Sequence, residues 1–454
     1  MRKIVFLLVV VFQATYYSQT DNFIRGADLS FNQQIEDLGG KYTVNSDAKE
    51  ALDIFKDNGA NYVRLRLWYA PSDGYCGLAK TIEYAKRLKA KGFKFLLDFH
   101  YSDSWADPGK QNKPAAWETL PNSVLKDSIW AYSKFVINAL KSQNVLPDMV
   151  QIGNEITQGM LWSDGMVNGS SGWSSLGDLL KFAISGVKSA AGTSTIKIML
   201  HIDNGGHHGT SLWWFNNIVK QNVPFDVIGL SYYPFGDNPL DSLKNNVNDL
   251  ATRYGKEIII AETAYPWTLG WNDNTNNSVG STNQLLTGYP ATVQGQQDYM
   301  NALIAIIKNI PNSKGTGFFY WAPDWITVNG LGSSWENMTF FNFSGEVLSS
   351  ISVFNSGANN ISTDKLPSSF ALNQNYPNPF NPGTIISYQL QYSSNVQIKV
   401  YDLLGREICS LVNEYKPAGS YTVKFNAGNL PSGMYLYRIS AGTFSQTRKM
   451  LLVK

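Results

Sequence analysis

Eight apolar runs of strand length recur along the first three quarters of the chain, and nearly all of them turn polar at the same end. They are FIRGADLS (23–30), NYVRLRLW (61–68), FKFLLDFH (93–100), MVQIGNE (149–155), IKIMLHID (196–203), VIGLSYYP (227–234), EIIIAETA (257–264) and GTGFFYWAP (315–323). Stretches of helical period separate them, such as 79–91, 122–142 and 293–308. Eight β units, each followed by helix-like sequence, predict an α/β fold of the (β/α)8, or TIM-barrel, type over residues 21–355. An open doubly wound sheet alternates in the same way, but no Gly-rich phosphate loop follows the first run.

A barrel of this kind carries its active site at the C-terminal ends of its strands. Here those ends hold Asp28, Arg64 and Arg66, Asp98 and His100, Asn154 and Glu155, His201 and Asp203, Tyr232 and Tyr233, Glu262, and Trp321, while the first halves of the runs are almost wholly apolar. A chain of 454 residues is long for one ordinary domain, and with 43% apolar residues it has ample material for such a core. The net charge of +2 gives no reason to expect nucleic acid or an acidic partner. Aromatic side chains make up 13% of the chain and supply stacking platforms for sugar rings, although most are expected in the core.

Glu155 in QIGNEIT and Glu262 in IIIAETAY follow apolar runs of the same kind. On the fourth and seventh strands of a barrel they face each other across the mouth, the arrangement that glycoside hydrolysis needs. One carboxyl protonates the leaving oxygen, and the other attacks the sugar or activates water. A lone Glu at a strand end is more often a salt-bridge partner or a metal ligand. It is the pair, with Asn154 beside it and His, Tyr and Trp at the other strand ends, that favours catalysis. Asn154 suits a sugar 2-hydroxyl, Tyr232 and Arg64 are expected to keep Glu262 ionised, and Glu155 needs a raised pKa to begin protonated. The competing metallohydrolase would use His100, His201 and Asp203 with His207 and His208. These are the only four His of the chain, and no pair has ligand spacing along a helix face.

The order of these motifs resembles the retaining glycoside hydrolases built on this barrel. More narrowly, YVRLRLW, DFHYSDSWADPGKQNKPAAW, VQIGNEITQGMLW, HIDNG, IIIAETAYPW and YWAPDWI followed by GLGSSWEN resemble the arabinogalactan endo-β-1,4-galactanases, glycoside hydrolase family 53, over about residues 23–355. The resemblance implies endo-cleavage of β-1,4-galactan with retention, Glu155 as acid/base and Glu262 as nucleophile. It further implies sugar contacts from Asp28, Arg64, His100, Trp105, Asp107, Asn154, His201, Asp203, Tyr232, Tyr233 and Trp321, with Trp321 and Trp325 as stacking platforms. Another β-glycanase on the same barrel, a mannanase or an endoglucanase, and a non-catalytic glycan-binding barrel stand as the alternatives. Bacterial members of the family often carry calcium in the loop after the seventh strand. Here that loop, WTLGWNDNTNNSVGS, offers one carboxylate, Asp273, among asparagines such as Asn277. That is a weak donor set for a hard cation. A structural calcium is therefore left open, and no cofactor is required for chemistry by two carboxylates.

The two ends of the chain read as export signals. Arg2-Lys3 and the apolar run 4–12 resemble a signal peptide, taken as 1–20, that is too short to span a bilayer. A Gly/Ser/Asn/Pro-rich stretch, 356–369, reads as a linker, after which the pattern becomes that of alternating strands. Residues 370–454 are expected to form a small antiparallel β-sandwich. LNQNYPNPFNPGTIISYQL, VQIKVYDLLG, SGMYLYRIS and TRKMLLVK resemble the C-terminal sorting domain of the type IX secretion system, which implies the export machinery as a partner and a secreted or surface location. Cys76 and Cys409 lie in different domains, so no disulfide is expected. A monomer is the default.

Overall fold

The computed structural model describes residues 22–355, 369–391, 394–416, 419–428 and 430–454. The expected signal peptide and nearly all of the expected linker lie outside these residues.

All eight runs form strands: β1 (Ile24–Asp28), β2 (Tyr62–Leu67), β3 (Lys94–Phe99), β4 (Met149–Ile152), β5 (Lys197–Ile202), β6 (Val227–Ser231), β7 (Glu257–Glu262) and β8 (Gly315–Trp321). They close into one barrel in the order β1-β8-β7-β6-β5-β4-β3-β2, every pair parallel. Side chains alternate between the barrel interior and the surrounding helices. The lower interior is apolar, a buried cluster that includes Ile24, Tyr62, Leu96, Met149, Met199 and Phe319. Phe319 approaches β1 so closely that a Cβ on Gly26 would lie 2.2 Å from its ring, so only glycine fits there. Two residues further along β2 to β5, and four beyond Ile24 on β1, the same inward alternation presents Arg64, Asp98, Gln151, His201 and Asp28. The polar layer is therefore built on top of an apolar plug.

Outward residues such as Val63, Leu65, Leu97 and Val150 pack beneath the helices. These are α1 (Ala51–Asp57), α2 (Leu78–Ala90), α3 (Asn122–Ser142), α4 (Trp173–Ala191), α5 (His208–Lys220), α6 (Leu240–Tyr254) and α7 (Val293–Lys308). The last unit departs from expectation. No α-helix follows β8, and a 3₁₀ turn, Ser349–Phe354, fills the place, burying Ile351, Val353 and Phe354.

The C-terminal part is all β: β9 (Ala371–Leu372), β10 (Gly383–Leu390), β11 (Ser394–Tyr401), β12 (Glu407–Lys416), β13 (Gly419–Asn426), β14 (Gly433–Ala441) and β15 (Phe444–Leu452). One sheet has the order β9-β10-β13 and the other β12-β11-β14-β15, all antiparallel. Leu372, Ile386, Val396, Ile398, Tyr437 and Ile439 are among the residues of their shared core. The expected sandwich is present, and β9 and edge strand β12 fall outside the alternating stretches TIISYQL, VQIKVYDLLG, GSYTVKFNA, MYLYRIS and FSQTRKMLLVK that the sequence offers as strands.

Candidate active site

Arg64 organises the mouth of the barrel. Its guanidinium is 1% exposed and reaches Asp28 at 2.7 Å, Asp98 at 2.9 Å, Glu262 at 2.9 Å, the Asn154 side-chain oxygen at 2.8 Å and that of Gln151 at 3.2 Å. A buried cation is stable only when its donors are met, and here carboxylates and amides on four strands meet them. Burial pushes the Asp98 carboxyl up, but Arg64 and His100 outweigh it and hold Asp98 below its ordinary range.

Glu262 would face outward if β7 simply alternated, because Ala261 already points into the barrel. Opposite it, β6 pairs Leu230 with Ile260 but Ser231 with Glu262, and the residue skipped by this bulge turns Glu262 inward. Arg64 meets its Oε1 at 2.9 Å, and the Tyr233 hydroxyl donates to its Oε2 at 2.9 Å. Burial raises this carboxyl, Arg64 and the Tyr233 bond pull it back, and it sits at about 7.

Glu155 lies just past β4 in the left-handed region, at φ 47°. Gly153, at φ 82°, makes the preceding turn, and a Cβ there would lie 2.6 Å from Ile156 Cγ2. This backbone drives Ile156 into the core and leaves the Glu155 carboxyl in the cleft, at a strain of roughly 1–2 kcal/mol. The Ser231 hydroxyl donates to Glu155 Oε1 at 2.7 Å, and His201 Nε2 lies 2.9 Å from Ser231 Oγ. His201 Nδ1 faces Gln151 Nε2 at 3.0 Å, Asn154 Oδ1 at 3.2 Å and the Glu155 main-chain N–H at 3.4 Å, so both ring nitrogens are engaged. Burial, then Arg64, holds His201 well below its ordinary pKa, so the ring is neutral. Desolvation and the neighbouring Glu262 push Glu155 well above the ordinary carboxyl range. Of two nearby carboxyls, the one without the arginine keeps the proton.

Both carboxyls line one cleft of about 320 Å³, with His100, Asn154, Trp105, Trp321, Trp325 and Trp335 in its walls. Phe31 stacks on Trp325 at 3.9 Å between ring centroids, while Trp335 meets Trp321 edge-on at 4.6 Å and donates its indole N–H to the Trp321 carbonyl. Arg66 is wedged between the Phe31 and Trp105 rings, 4.1 Å from each.

Several expected contacts sit elsewhere. Tyr232 is buried, and its hydroxyl donates to the Asn238 carbonyl at 2.9 Å. Ser231 faces the cleft, so alternation sends Tyr232 outward and brings Tyr233 back to Glu262. Asp28 and His201, at 1% and 0% exposure, stand behind the carboxyls and cannot touch a substrate. Asp203 bonds Thr157 and Asn204 and lines a neighbouring cavity. His100 also has both ring nitrogens engaged, by Asp98 at 3.0 Å and by the Ala106 N–H at 3.1 Å, so neither cleft histidine keeps a free lone pair for a metal. Among the described residues, no group of three or more His, Cys, Asp or Glu is placed to hold an ion.

In the loop after β7, Asp273 is joined by a second carboxylate, Glu336. Asp273 accepts from Thr275 N at 2.6 Å, Ser333 N at 2.8 Å and the Thr327 hydroxyl at 2.7 Å. Glu336 accepts from Asn272 N at 2.6 Å and is 2.6 Å from the same hydroxyl. Asn277 is turned to the Gly270 carbonyl at 3.1 Å. N–H and O–H donors thus engage the oxygens of both carboxylates, while the Asn277 side-chain oxygen is buried without a partner.

Ser231, Gln151 and Trp335 are contributors that sequence reasoning missed. The in-facing parity of β4 and β6 points to the first two, while Trp335 lies within the GLGSSWEN motif, which marks the segment but not the residue's place in the cleft.

Residues 24–354 match the model of glycosyl hydrolase family 53. The chain belongs to that family. An arabinogalactan endo-β-1,4-galactanase of Humicola insolens is 37% identical over 73% of this chain and 98% of its own length. An uncharacterised protein of Niallia circulans is 44% identical over 74% of this chain and 95% of its own. The family 53 catalytic domain of Ignisphaera aggregans superimposes with a TM-score of 0.71 at 40% identity, covering 74% of this chain and 97% of that one. Residues 374–454 match the secretion system C-terminal sorting domain.

Proposed function

We propose that this glycoside hydrolase cuts internal β-1,4-galactosidic bonds in galactan and in the side chains of type I arabinogalactan, with retention. The observation that carries the reading is the unequal treatment of two carboxyls in one cleft. Arg64 and Tyr233 both favour the ionised form of Glu262, whereas Glu155 receives a single hydroxyl donor. The Glu262 carboxylate attacks the anomeric carbon as Glu155 passes its proton to the departing glycosidic oxygen. Glu155, now ionised, takes a proton from water, whose oxygen displaces Glu262 and restores both groups. Ser231 engages Oε1, which leaves Oε2 to carry the proton. Galactan as substrate is supported by the activity named for the Humicola insolens relative.

The loop after β7 does its work through Asp273 and Glu336 without calcium. The C-terminal domain is a ticket for the export machinery, and together with an N-terminal signal it delivers the enzyme to the cell surface or the medium.

The test is the full chain on linear β-1,4-galactan, β-mannan and carboxymethyl-cellulose, with Glu155→Gln and Glu262→Gln beside it. Short galacto-oligomers and a rapid fall in viscosity on galactan alone, lost in both variants, are expected. Cleavage of mannan or cellulose instead overturns the substrate, and full activity in either variant overturns the roles.

A further inference from the structure

The Tyr233 hydroxyl that steadies Glu262 stands on a loop, 232–239, that joins β6 to α6. One bond of 2.9 Å to a carboxylate does not order a loop, because the backbone freedom given up costs roughly 1–2 kcal/mol per residue. The fixing must come from elsewhere. At the near end a turn closes, where the Gly236 N–H donates to the Tyr233 carbonyl at 2.9 Å. At the far end the Asp237 side chain, only 5% exposed, reaches across to the loop after β5, where its Oδ1 accepts from the Gly206 N–H at 3.0 Å. Asn238 adds a second tie, donating from Nδ2 to the Gly206 carbonyl at 3.2 Å.

The turn that receives these ties is itself held. The Gly205 N–H donates to the Ser231 carbonyl at 2.8 Å, and the Gly205 carbonyl accepts at 2.6 Å from Asn246, a wholly buried residue of α6. A Cβ on Gly206 would lie 2.8 Å from Asp237 Oδ1, so the two loops meet this closely only over glycine. The Gly205-Gly206 turn thus grips both halves of the chemistry: Ser231, which donates to Glu155, and, through Asp237, the loop of Tyr233. Charge favours the tie as well. His207 Nε2 lies 3.8 Å from Asp237 Oδ1, and Asp203 also faces it. Burial pushes the Asp237 carboxyl up, the Gly206 N–H and His207 pull it back, and it sits at about 6. It therefore ionises, and becomes the stronger acceptor, before Glu262 does at about 7.

We propose that Asp237 is a positioning residue for the reaction: by fastening the β6 loop to the Gly205-Gly206 turn, it keeps the Tyr233 hydroxyl on Glu262 and so keeps the attacking carboxyl ionised. It touches no substrate and acts only through Tyr233. The inference rests on the reading of Glu262 as the nucleophile.

The experiment is the kcat/KM profile against pH on linear β-1,4-galactan, with the full chain as wild type, Asp237→Ala, Asp237→Asn, Tyr233→Phe and the double variant of Asp237→Ala with Tyr233→Phe. Asp237→Ala should loosen the Tyr233 hydroxyl from Glu262 and raise the pKa of that carboxyl. The acid limb then moves to higher pH, with a loss of about threefold to fivefold near the old limb that narrows as pH increases. The alkaline limb should stay in place. Asp237→Asn keeps an acceptor oxygen for the Gly206 N–H and should restore most of the limb. In the Tyr233→Phe background, Asp237→Ala should add nothing to the shift, because no hydroxyl is left to misplace. Asn238→Ala, at an exposed residue, should move the limb the same way by a smaller amount, and it carries the test alone if Asp237→Ala does not fold. An acid limb that stays in place in Asp237→Ala and Asn238→Ala, or that moves equally with and without the Tyr233 hydroxyl, would overturn the proposal. So would a uniform loss at every pH, which would make Asp237 a support of the fold alone. An acid limb that ignores Tyr233→Phe is a separate result, which overturns the reading of Glu262 beneath it.

Discussion

The barrel and the C-terminal sandwich divide polarity in opposite ways. The barrel hides it: among the described residues, every buried polar side-chain atom without a partner belongs to the barrel, from Arg66 Nη1 to both carboxyl oxygens of Asp324. The sandwich has a plain apolar core and displays apolar side chains outside, with Leu403 63% and Leu404 80% exposed on one turn and Tyr376 81% exposed. A site that does chemistry must keep charges where water is scarce, and stability suffers for it. A domain that is only to be recognised can fold without that penalty and put its apolar groups where a partner meets them.

The largest test of this contrast is Glu262→Gln or Glu155→Gln. Each is expected to lower kcat at least on the order of 10^3-fold while leaving the melting temperature equal or higher. The sign follows from linkage. Both carboxyls have folded pKa values raised above those of the unfolded chain, so each destabilises the fold as pH rises past its unfolded value. A neutral amide removes that penalty. A melting temperature that falls by many degrees at pH 7 would mean the carboxyls hold the fold together and would break the contrast.

Next is deletion of residues 356–454. Export should be lost, with protein retained inside the outer membrane, while kcat/KM on galactan stays within about twofold. A large loss of activity would tie the sandwich to catalysis. On the sandwich itself, Leu403→Ser with Leu404→Ser should change stability by roughly 0.5 kcal/mol or less, against about 2–5 kcal/mol for Leu65→Ala under the barrel helices. Chemical denaturation measures both.

Much of this was legible in the sequence because the barrel writes its plan in strand order. All eight strands fell where apolar runs end in polar residues, and Asn154, Glu155 and Glu262 were placed by that rule alone. The errors come from parity and distance. The bulge that brings Glu262 inward depends on the pairing of β6 with β7, which no single strand encodes. Tyr232 and Tyr233 differ only in alternation counted from Ser231, and the wrong one was expected to hold Glu262. The loop after β7 carries one carboxylate, as read, but Glu336 reaches its Asn272 from 64 residues away, in the segment after β8, which the loop's own sequence cannot reveal. Edge strand β12 was missed because its burial barely alternates.

A smaller effect is expected from Tyr233→Phe. The hydroxyl donates to Glu262 and so favours its ionised form, and without it the pKa of that carboxyl rises. Attack requires the ionised form, so the acid limb of the kcat/KM profile should move to higher pH, with a loss of about tenfold near the old limb that narrows as pH increases. The alkaline limb, which reports loss of the proton from Glu155, should stay in place. Movement of the alkaline limb alone would exchange the roles of the two carboxyls.

The smallest effect expected is none. If Asp273 and Glu336 fasten the loop after β7 by accepting from Asn272, Thr275, Ser333 and Thr327, then a chelator removes nothing from it. The melting temperature with and without EDTA should agree, and added calcium should not raise it. The loop nevertheless depends on those oxygens. Thr327 has a single hydroxyl proton to share between Asp273 and Glu336, so the main-chain N–H donors carry most of the attachment. Asp273→Ala leaves Thr275 and Ser333 N–H groups without their acceptor and should cost about 1–3 kcal/mol. Asp273→Asn keeps one acceptor oxygen and should cost less. A clear stabilisation by calcium that vanishes in Asp273→Asn would mean the loop rearranges around an ion, and that the donors seen here give way to it.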